Sequence, residues 1–287
     1  LIPGQTVVID VTGKQPNVTT GYWFRYWPTE VMETDSEEVV FERFDRAIQN
    51  AFNRLIDFAD GNPIFIPLSG GYDSRLVLLT LCRLGYNDIR TFSFGKRGNG
   101  DVEVAREVTE NVGVPWRFVE YTPQKWSRWF NSPERRAYYD LAFNLDAVPV
   151  IEPWPAVWEM DRANEIPTGS VFVTGEAVSH TGNKIEARLP QPTPDRKAVI
   201  EGFIESYYVR GDWDHDTLAD SFTRRLAGQL PEVEIDTREA AIGAFSDLKW
   251  RNGRKYQGKA GRIYEHWGFD WWKPLYDPSV VSCYSSL

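Results

Sequence analysis

Cysteine is scarce in this chain of 287 residues, which contains only Cys82 and Cys283. Two cysteines are too few for a disulfide framework, and they lack the CxxC or Cys/His spacing of a metal site. Neither is expected to be a catalytic nucleophile. Long apolar runs are also missing, since none approaches the ~20 residues of a transmembrane helix, and no signal-peptide pattern opens the sequence. We therefore expect a cytoplasmic protein with no membrane partner.

Positive charge is in short supply as well. The 32 Lys and Arg residues are outnumbered by 41 Asp and Glu residues, and the net charge is −9. Nucleic-acid binding depends on basic patches that neutralise phosphates, whereas the basic residues here are scattered. The nearest thing to a basic run is Arg251, Arg254, Lys255, Lys259 and Arg262. A solvated basic face explains this run adequately, so no nucleic-acid partner is expected and a tRNA-modifying enzyme is a weak alternative.

What the sequence does contain is a pattern at residues 64–79, IFIPLSGGYDSRLVLL. An apolar run, Ile64–Leu68, ends at the hexapeptide SGGYDS, and apolar residues at helical spacing follow. This pattern predicts a strand, a glycine turn and a helix. Such a turn directs unpaired backbone N–H groups and the positive end of a helix dipole at one point, so it is suited to binding an anion.

The type of anion-binding loop can be narrowed further. A Walker A loop would close with Lys-Ser or Lys-Thr, but Tyr72, Asp73, Ser74 and Arg75 stand at these positions. SGGYDS instead resembles the S-G-G-x-D-S loop of the N-type ATP pyrophosphatases, which cleave ATP between the α- and β-phosphates. An ordinary glycine turn is the alternative interpretation.

Other segments resemble one branch of that superfamily, the synthetase domain of glutamine-dependent asparagine synthetases. They span residues 1–278 and read, in chain order, LIPGQTVVID with YWFRYW, TFSFG, DVEVAREVTENVGVP, VFVTGEAVSH and KYQGKAGRIYEHWGFDWWKPLYD. In the family the corresponding landmarks include an apolar strand that ends in S-G-E-G-x-D-E and a late lysine before P-[FL]-x-D. The resemblance implies that residues 1–35 are a linker hairpin from an N-terminal glutaminase domain that is missing here, and that residues 36–287 are the synthetase domain.

The predicted elements agree with an α/β fold of that type. Short apolar strands are predicted at 64–68, 90–94, 117–121 and 171–174, and helices at 36–59, 75–84 and 102–112. Strands that alternate with helices favour a parallel sheet covered by helices on both faces, as in an ATP-pyrophosphatase domain. Ligands of such sheets bind at the carboxyl ends of the strands. We therefore expect the loop, Phe94 and the pair Gly175-Glu176 to converge on one crevice.

The resemblance assigns roles to individual residues. Pyrophosphate is expected at Ser69, Gly70, Gly71, Asp73 and Ser74, with Asp73 as a Mg²⁺ ligand. Leu68 and Phe94 are expected near the adenine, although core packing explains both equally well, and Gly175 is expected to bind the nucleotide. Glu176 is expected to assist the attack of an amine on an acyl adenylate, or alternatively to cap a helix. Either Lys255 or Lys259 is expected to contact the α-phosphate; the spacing from Arg262 favours Lys255 by comparison with the family, and Lys259 matches better if the loop is shorter.

The implied reaction is an ATP-dependent amidation, most simply of aspartate to asparagine, through an acyl adenylate that releases AMP and pyrophosphate. Its ammonia would come from a glutaminase domain outside this chain, and the synthetase domain could self-associate. Ser179 replaces an aspartate of the family pattern. Two alternatives therefore stay open: an amidotransferase for another carboxylate such as a sugar acid, and a non-catalytic nucleotide-binding relative.

Overall fold

The computed structural model describes residues 5–22, 35–143, 148–177, 188–189, 192–208, 215–230 and 234–285. The chain divides into two compact units. The hairpin unit comprises Leu1–Met32 and Ser179–Lys255, and the sheet unit comprises Glu33–Val178 and Tyr256–Ser285. In the part of the chain that the structure describes, no helix has the length and apolar character that crossing a bilayer requires.

The described residues form seven strands and eleven α-helices. The strands are β1 Gln5–Asp10, β2 Asn17–Tyr22, β3 Ile64–Pro67, β4 Ile89–Gly95, β5 Trp116–Glu120, β6 Val171–Val173 and β7 Asp270–Trp272. The helices are α1 Glu37–Ala59, α2 Tyr72–Arg83, α3 Gly100–Val112, α4 Pro123–Phe130, α5 Pro133–Ala142, α6 Trp154–Arg162, α7 Arg196–Tyr207, α8 His215–Ala227, α9 Arg238–Gly258, α10 Arg262–His266 and α11 Pro278–Ser285. Two short 3₁₀ turns, Lys259–Gly261 and Pro274–Tyr276, flank α10 and β7.

The sheet unit is built on a five-stranded parallel sheet with the order β5-β4-β3-β6-β7. Side chains alternate between its two faces, because successive residues of a strand point in opposite directions. In β3, Ile64 and Ile66 join a buried cluster with α1 and α2, whereas Phe65 joins a second cluster with α5 and α6. Both faces are therefore covered by helices, which confirms the predicted fold class.

The local sequence explains where the helices of the sheet unit begin and end. The Asn99 side chain accepts a hydrogen bond from the Asp101 N–H at 3.0 Å and so caps the start of α3. Helix α3 ends at Gly113, whose φ of 72° lies in the left-handed region that glycine adopts without strain. Four predicted strands and three predicted helices are present, with boundaries shifted by only a few residues.

The fifth strand, β7, was not predicted from the sequence. It has only three residues, Asp270–Trp272, within an aromatic-rich stretch that has no apolar run. Its position at the edge of the sheet comes from pairing with β6, in which Val173 lies opposite Trp272. The pairing is therefore a tertiary effect, and a pattern search along the chain has no signal for it.

The hairpin unit has its own elements. Strands β1 and β2 pair antiparallel, with Gln5 opposite Tyr22, and nearly all of their residues are exposed. A separate buried cluster joins α7, α8 and α9, and includes Phe203, Leu226 and Phe245. The predicted hairpin is thus present, and its origin as a linker from a glutaminase domain stays a prediction.

Candidate functional site

The SGGYDS segment connects β3 to α2 and is held in shape by its own two serines. The Ser69 N–H donates a hydrogen bond to Ser74 Oγ at 3.1 Å, and the two hydroxyl oxygens lie 3.0 Å apart. The Gly71 N–H in turn donates to Ser69 Oγ at 3.2 Å. The turn is therefore organised by contacts within the loop itself, as the predicted strand, turn and helix require.

Helix α2 begins directly behind this turn without a side-chain cap. Gly71 occupies the N-cap position, and glycine has no side chain that could accept a hydrogen bond from the first N–H groups of the helix. The first N–H groups of a helix need acceptors, and together with the helix dipole they favour an anion. The start of α2 is therefore suited to an anion, and the binding of pyrophosphate there stays a prediction.

Asp73 lies in the first turn of α2 and is exposed. Although much of the residue is exposed, neighbouring groups partly desolvate the Asp73 carboxyl and raise its pKa above its ordinary value. A nearby cation has the opposite effect, because it favours the charged form of a carboxyl group. The carboxylate lies in the first turn of α2, and its role as a Mg²⁺ ligand stays a prediction.

Two glycines of the site are closely packed. A β-carbon at position 70 would lie 2.6 Å from Asp101 Oδ1, on α3. One at position 175 would lie 2.5 Å from the Cα of Ser74. At position 175 the clash is with backbone atoms, so only glycine fits there, whereas at position 70 the Asp101 side chain could move to relieve part of the clash. The loop is therefore packed between the start of α3 and the segment that follows β6, and Asp101 is a neighbour of the loop that the sequence did not reveal.

Glu176 follows Gly175 and forms an ion pair with Lys273, which lies just beyond β7. The Lys273 side chain is 9% exposed and that of Glu176 is 27% exposed. The sequence analysis assigned no role to Lys273. Its proximity depends on the pairing of β7 with β6, and the missed strand accounts for the missed residue.

Two other buried groups belong to this part of the sheet unit. Tyr264 is fully buried and stacks on Phe172 at a centroid distance of 4.2 Å. Burial, reinforced by the charge of Glu176, raises the pKa of the Tyr264 hydroxyl well above its ordinary value, so this group stays neutral. Among the described residues, Thr174 Oγ1 at the end of β6 is buried without a hydrogen-bond partner. The carboxyl end of β6 thus gathers polar groups in a largely apolar setting.

The two residues predicted near adenine lie at the ends of adjacent strands. The Leu68 N–H donates to the Phe92 carbonyl at 2.8 Å, and the Leu68 carbonyl accepts from Ser93 Oγ at 2.7 Å. Phe94 stacks on Tyr121 with ring centroids 5.4 Å apart. The backbone of Leu68 is therefore already engaged within the sheet, which leaves only the second lone pair of its carbonyl for a ligand.

The structure describes the side chain of Lys259 and not that of Lys255. Lys259 belongs to the sheet unit and is 6% exposed. Its ammonium lies 5.9 Å from the ring centroid of Phe143, which also lines a cavity of about 450 Å³. Lys255 lies in α9 and belongs to the hairpin unit, and its side chain falls outside the described residues. Ser179 also lies outside them.

The side chains at the loop can hold Mg²⁺ only together with the phosphate oxygens of a nucleotide. Within the described ranges no group of three or more His, Cys, Asp or Glu side chains is placed to hold a metal ion. Mg²⁺ commonly uses one or two protein carboxylates and completes its octahedron with phosphate oxygens and water. Asp73 beside an uncapped helix start is compatible with that mode, in which the phosphate brings most of the ligands.

Comparison with known proteins finds a family match over part of the chain. Residues 43–144 match the family described as asparagine synthase. The matched range runs from α1 to the end of α5 and includes the SGGYDS loop. No curated protein matches the chain.

Several solved structures are distantly similar. One is an NH3-dependent NAD synthetase from Campylobacter jejuni, 12% identical, with a TM-score of 0.34 over 77% of this chain and 96% of that one. Another is a U34-tRNA thiolase from Methanococcus maripaludis, 11% identical, with a TM-score of 0.30 over 80% and 78%. A third is a predicted tRNA methyltransferase subunit from Methanocaldococcus jannaschii, 14% identical, with a TM-score of 0.25 over 68% and 91%.

Proposed function

We propose, on the premise that residues 43–144 belong to the asparagine synthase family, that this chain uses ATP to activate a carboxylate and then converts it to an amide. The observation that carries the proposal is the SGGYDS loop at the carboxyl end of β3, joined to an uncapped helix and packed against Gly175. A family match at a loop of this geometry supports a nucleotide-utilising activity in general. Aspartate as the substrate and asparagine as the product are the finer proposal.

The chemistry explains what the residues need to do. A carboxylate is a poor electrophile, because a nucleophile meets its negative charge and must expel oxide. Transfer of AMP to the carboxylate supplies a good leaving group. Reactions of this kind depend on positioning and charge stabilisation. We assign the pyrophosphate to the amides of Gly70, Gly71 and the start of α2, and Mg²⁺ to Asp73 together with phosphate oxygens.

We assign the remaining roles of the reaction to Glu176 and Lys259. Glu176 lies three residues beyond β6, and we assign it to the amine, whose proton a carboxylate can accept during attack. We favour Lys259 over Lys255 as the cation for the α-phosphate, because Lys259 is buried in the unit that contains the loop. We place ATP, Mg²⁺ and a small carboxylate at this site as ligands.

The deciding experiment is carboxylate-dependent ATP–pyrophosphate exchange with a panel of acids. Exchange that depends on aspartate supports asparagine synthesis, and exchange that depends on a sugar acid or another carboxylate supports the alternative that Ser179 keeps open. Nucleotide binding without exchange for any acid would identify a non-catalytic relative. Amide formation should then proceed with ammonium and not with glutamine, since we assign glutamine hydrolysis to a domain outside this sequence.

A further inference from the structure

The ion pair between Lys273 and Glu176 joins two ends of adjacent strands. Glu176 lies three residues beyond β6, and Lys273 directly follows β7. The two segments stay together past the paired residues, since the Thr174 N–H donates to the Trp272 carbonyl at 3.3 Å. Lys273 is therefore held by the sheet itself, and its ammonium is directed to the carboxylate.

The Lys273 side chain is largely buried, and its ammonium lies near two aromatic rings. Lys273 Nζ lies 5.5 Å from the ring centroid of Trp271 and 5.9 Å from that of Tyr276. A charge in such a place is stable only when it is paired, and removal of one partner leaves the other buried and uncompensated. The carboxylate and the ammonium therefore depend on each other.

The position of this pair relative to the loop gives it a consequence for ligand binding. Gly175 packs on the backbone of Ser74, in the first turn of α2. The next residue along the chain is Glu176, which therefore lies one position from this backbone contact with the start of α2, where a polyphosphate would bind. Like charges repel strongly in a partly buried site, where the effective dielectric constant is about 20 rather than that of water. An unpaired carboxylate there opposes the binding of ATP.

We propose that Lys273 is a positioning residue that neutralises the Glu176 carboxylate and fixes it at the end of β6, so that a polyanionic nucleotide can bind beside it. This inference rests on the proposed function, because it requires a nucleotide at the loop. Lys273 acts through Glu176 and has no assigned contact with the substrate.

The test is a double-mutant cycle read out as the Kd for Mg-ATP, measured by isothermal titration in the absence of a carboxylate. Lys273→Met leaves the carboxylate unpaired and should weaken binding about tenfold. Glu176→Gln removes the negative charge and should not weaken binding. The double variant Glu176→Gln/Lys273→Met restores local neutrality and should regain the affinity of the unmodified chain to within about twofold, and Lys273→Arg should stay within about threefold of it.

The outcomes separate this inference from the function on which it rests. If the unmodified chain does not bind Mg-ATP, the proposed function is wrong and the inference falls with it. If it binds and Lys273→Met binds equally well, only the inference is wrong. A double variant as weak as Lys273→Met would also overturn it, because the lysine would then be contacting the nucleotide itself. Thermal melting of each variant confirms that Kd is measured on folded protein.

Discussion

Gly175 packs directly on Ser74, and a β-carbon on the glycine would lie 2.5 Å from the Cα of the serine. The two residues are about a hundred positions apart in sequence and follow different strands, so this contact joins the segment after β6 to the SGGYDS loop. Because the contact is between backbones, no side-chain rearrangement can relieve an added methyl group. The absence of a side chain at Gly175 therefore determines how closely the segment after β6 packs on the SGGYDS loop.

Replacing that glycine is the most direct test of the packing. Gly175→Ala should destabilise the fold by about 1–3 kcal/mol, the usual cost of overpacking, and should weaken Mg-ATP binding by displacing the loop. Gly100→Ala is the matched control, because a β-carbon there meets nothing within 4 Å. It should be neutral or slightly stabilising. Urea unfolding and nucleotide titration check both variants, and equal behaviour of the two would contradict the packing argument.

Asp73 provides a test of the metal assignment. Asp73→Ala should reduce the affinity for Mg-ATP at least tenfold, a loss of about 1.4 kcal/mol or more, because the proposed carboxylate ligand is gone. The same variant should respond little to Mg²⁺ when ATP is titrated with and without the metal. Asp57→Ala removes an exposed carboxylate from α1 and serves as the charge-matched control. Full retention of Mg²⁺-dependent binding in Asp73→Ala would show that the metal is held elsewhere.

The sequence predicted the centre of the sheet and its loop well, for physical reasons. Strand β3 is a continuous apolar run because it is buried on both faces, and the break at Ser69 is abrupt. The helices on either side show clear apolar periodicity and glycine ends. The local sequence pattern and the tertiary environment agree in these segments, so the sequence was sufficient to predict the fold class and the strand, turn and helix around the SGGYDS loop.

The partners of the loop were less predictable, since they depend on contacts that are distant in sequence. Lys273 reaches Glu176 only because a three-residue strand pairs at the edge of the sheet. Asp101 reaches Gly70 only because α3 starts next to the loop. Neither contact leaves a local signal. Lys273 comes immediately after the aromatic strand β7, and a charged residue at such a position is common in surface turns.

Glu176 should separate the two halves of the proposed reaction. Glu176→Gln keeps the shape of the side chain and loses its ability to accept a proton. We expect ATP–pyrophosphate exchange to continue at a similar rate, while amide formation from ammonium falls about 10²–10⁴-fold, the usual range for loss of general acid–base catalysis. Glu165→Gln, in a surface pair with Arg117, is the control. Equal losses in both half-reactions would instead indicate a structural role for Glu176.

The two lysines are distinguished by single replacements. Lys259→Met should abolish carboxylate-dependent exchange if its ammonium stabilises charge on the α-phosphate, whereas Lys255→Met should retain exchange. Lys259→Arg is informative as well, because a guanidinium keeps the charge but needs more room in a buried site. The exchange rate decides between the two residues. Loss of activity in Lys255→Met alone would reverse the assignment, and normal activity in both would leave the α-phosphate to another cation.

Asp277 gives a prediction about pH and stability that does not depend on the proposed reaction. Arg54 binds it through two nitrogens, with Nε 2.9 Å from Oδ2 and Nη2 2.6 Å from Oδ1, and so ties α1 to the start of α11. Burial by itself raises the pKa of the Asp277 carboxyl, but the hydrogen bonds from Arg54 and Ser279 outweigh it and leave the pKa below its ordinary value. A carboxyl group with a lowered folded-state pKa stabilises the fold above its unfolded pKa, and this stabilisation is lost as the pH falls through the folded pKa.

The substitution Asp277→Asn should therefore reduce the free energy of unfolding at pH 7 by about 1–3 kcal/mol, less than for a fully buried pair because Arg54 is half exposed. The difference from the unmodified chain should shrink below about pH 4, where the unfolded carboxyl becomes protonated. Asp88→Asn breaks a more exposed pair with Arg90, two residues away, and should change stability by less than about 0.5 kcal/mol at either pH. Urea unfolding from pH 3 to pH 7 measures both, and a pH-independent cost for Asp277→Asn would mean that the side chain stabilises the fold through packing and not through its charge.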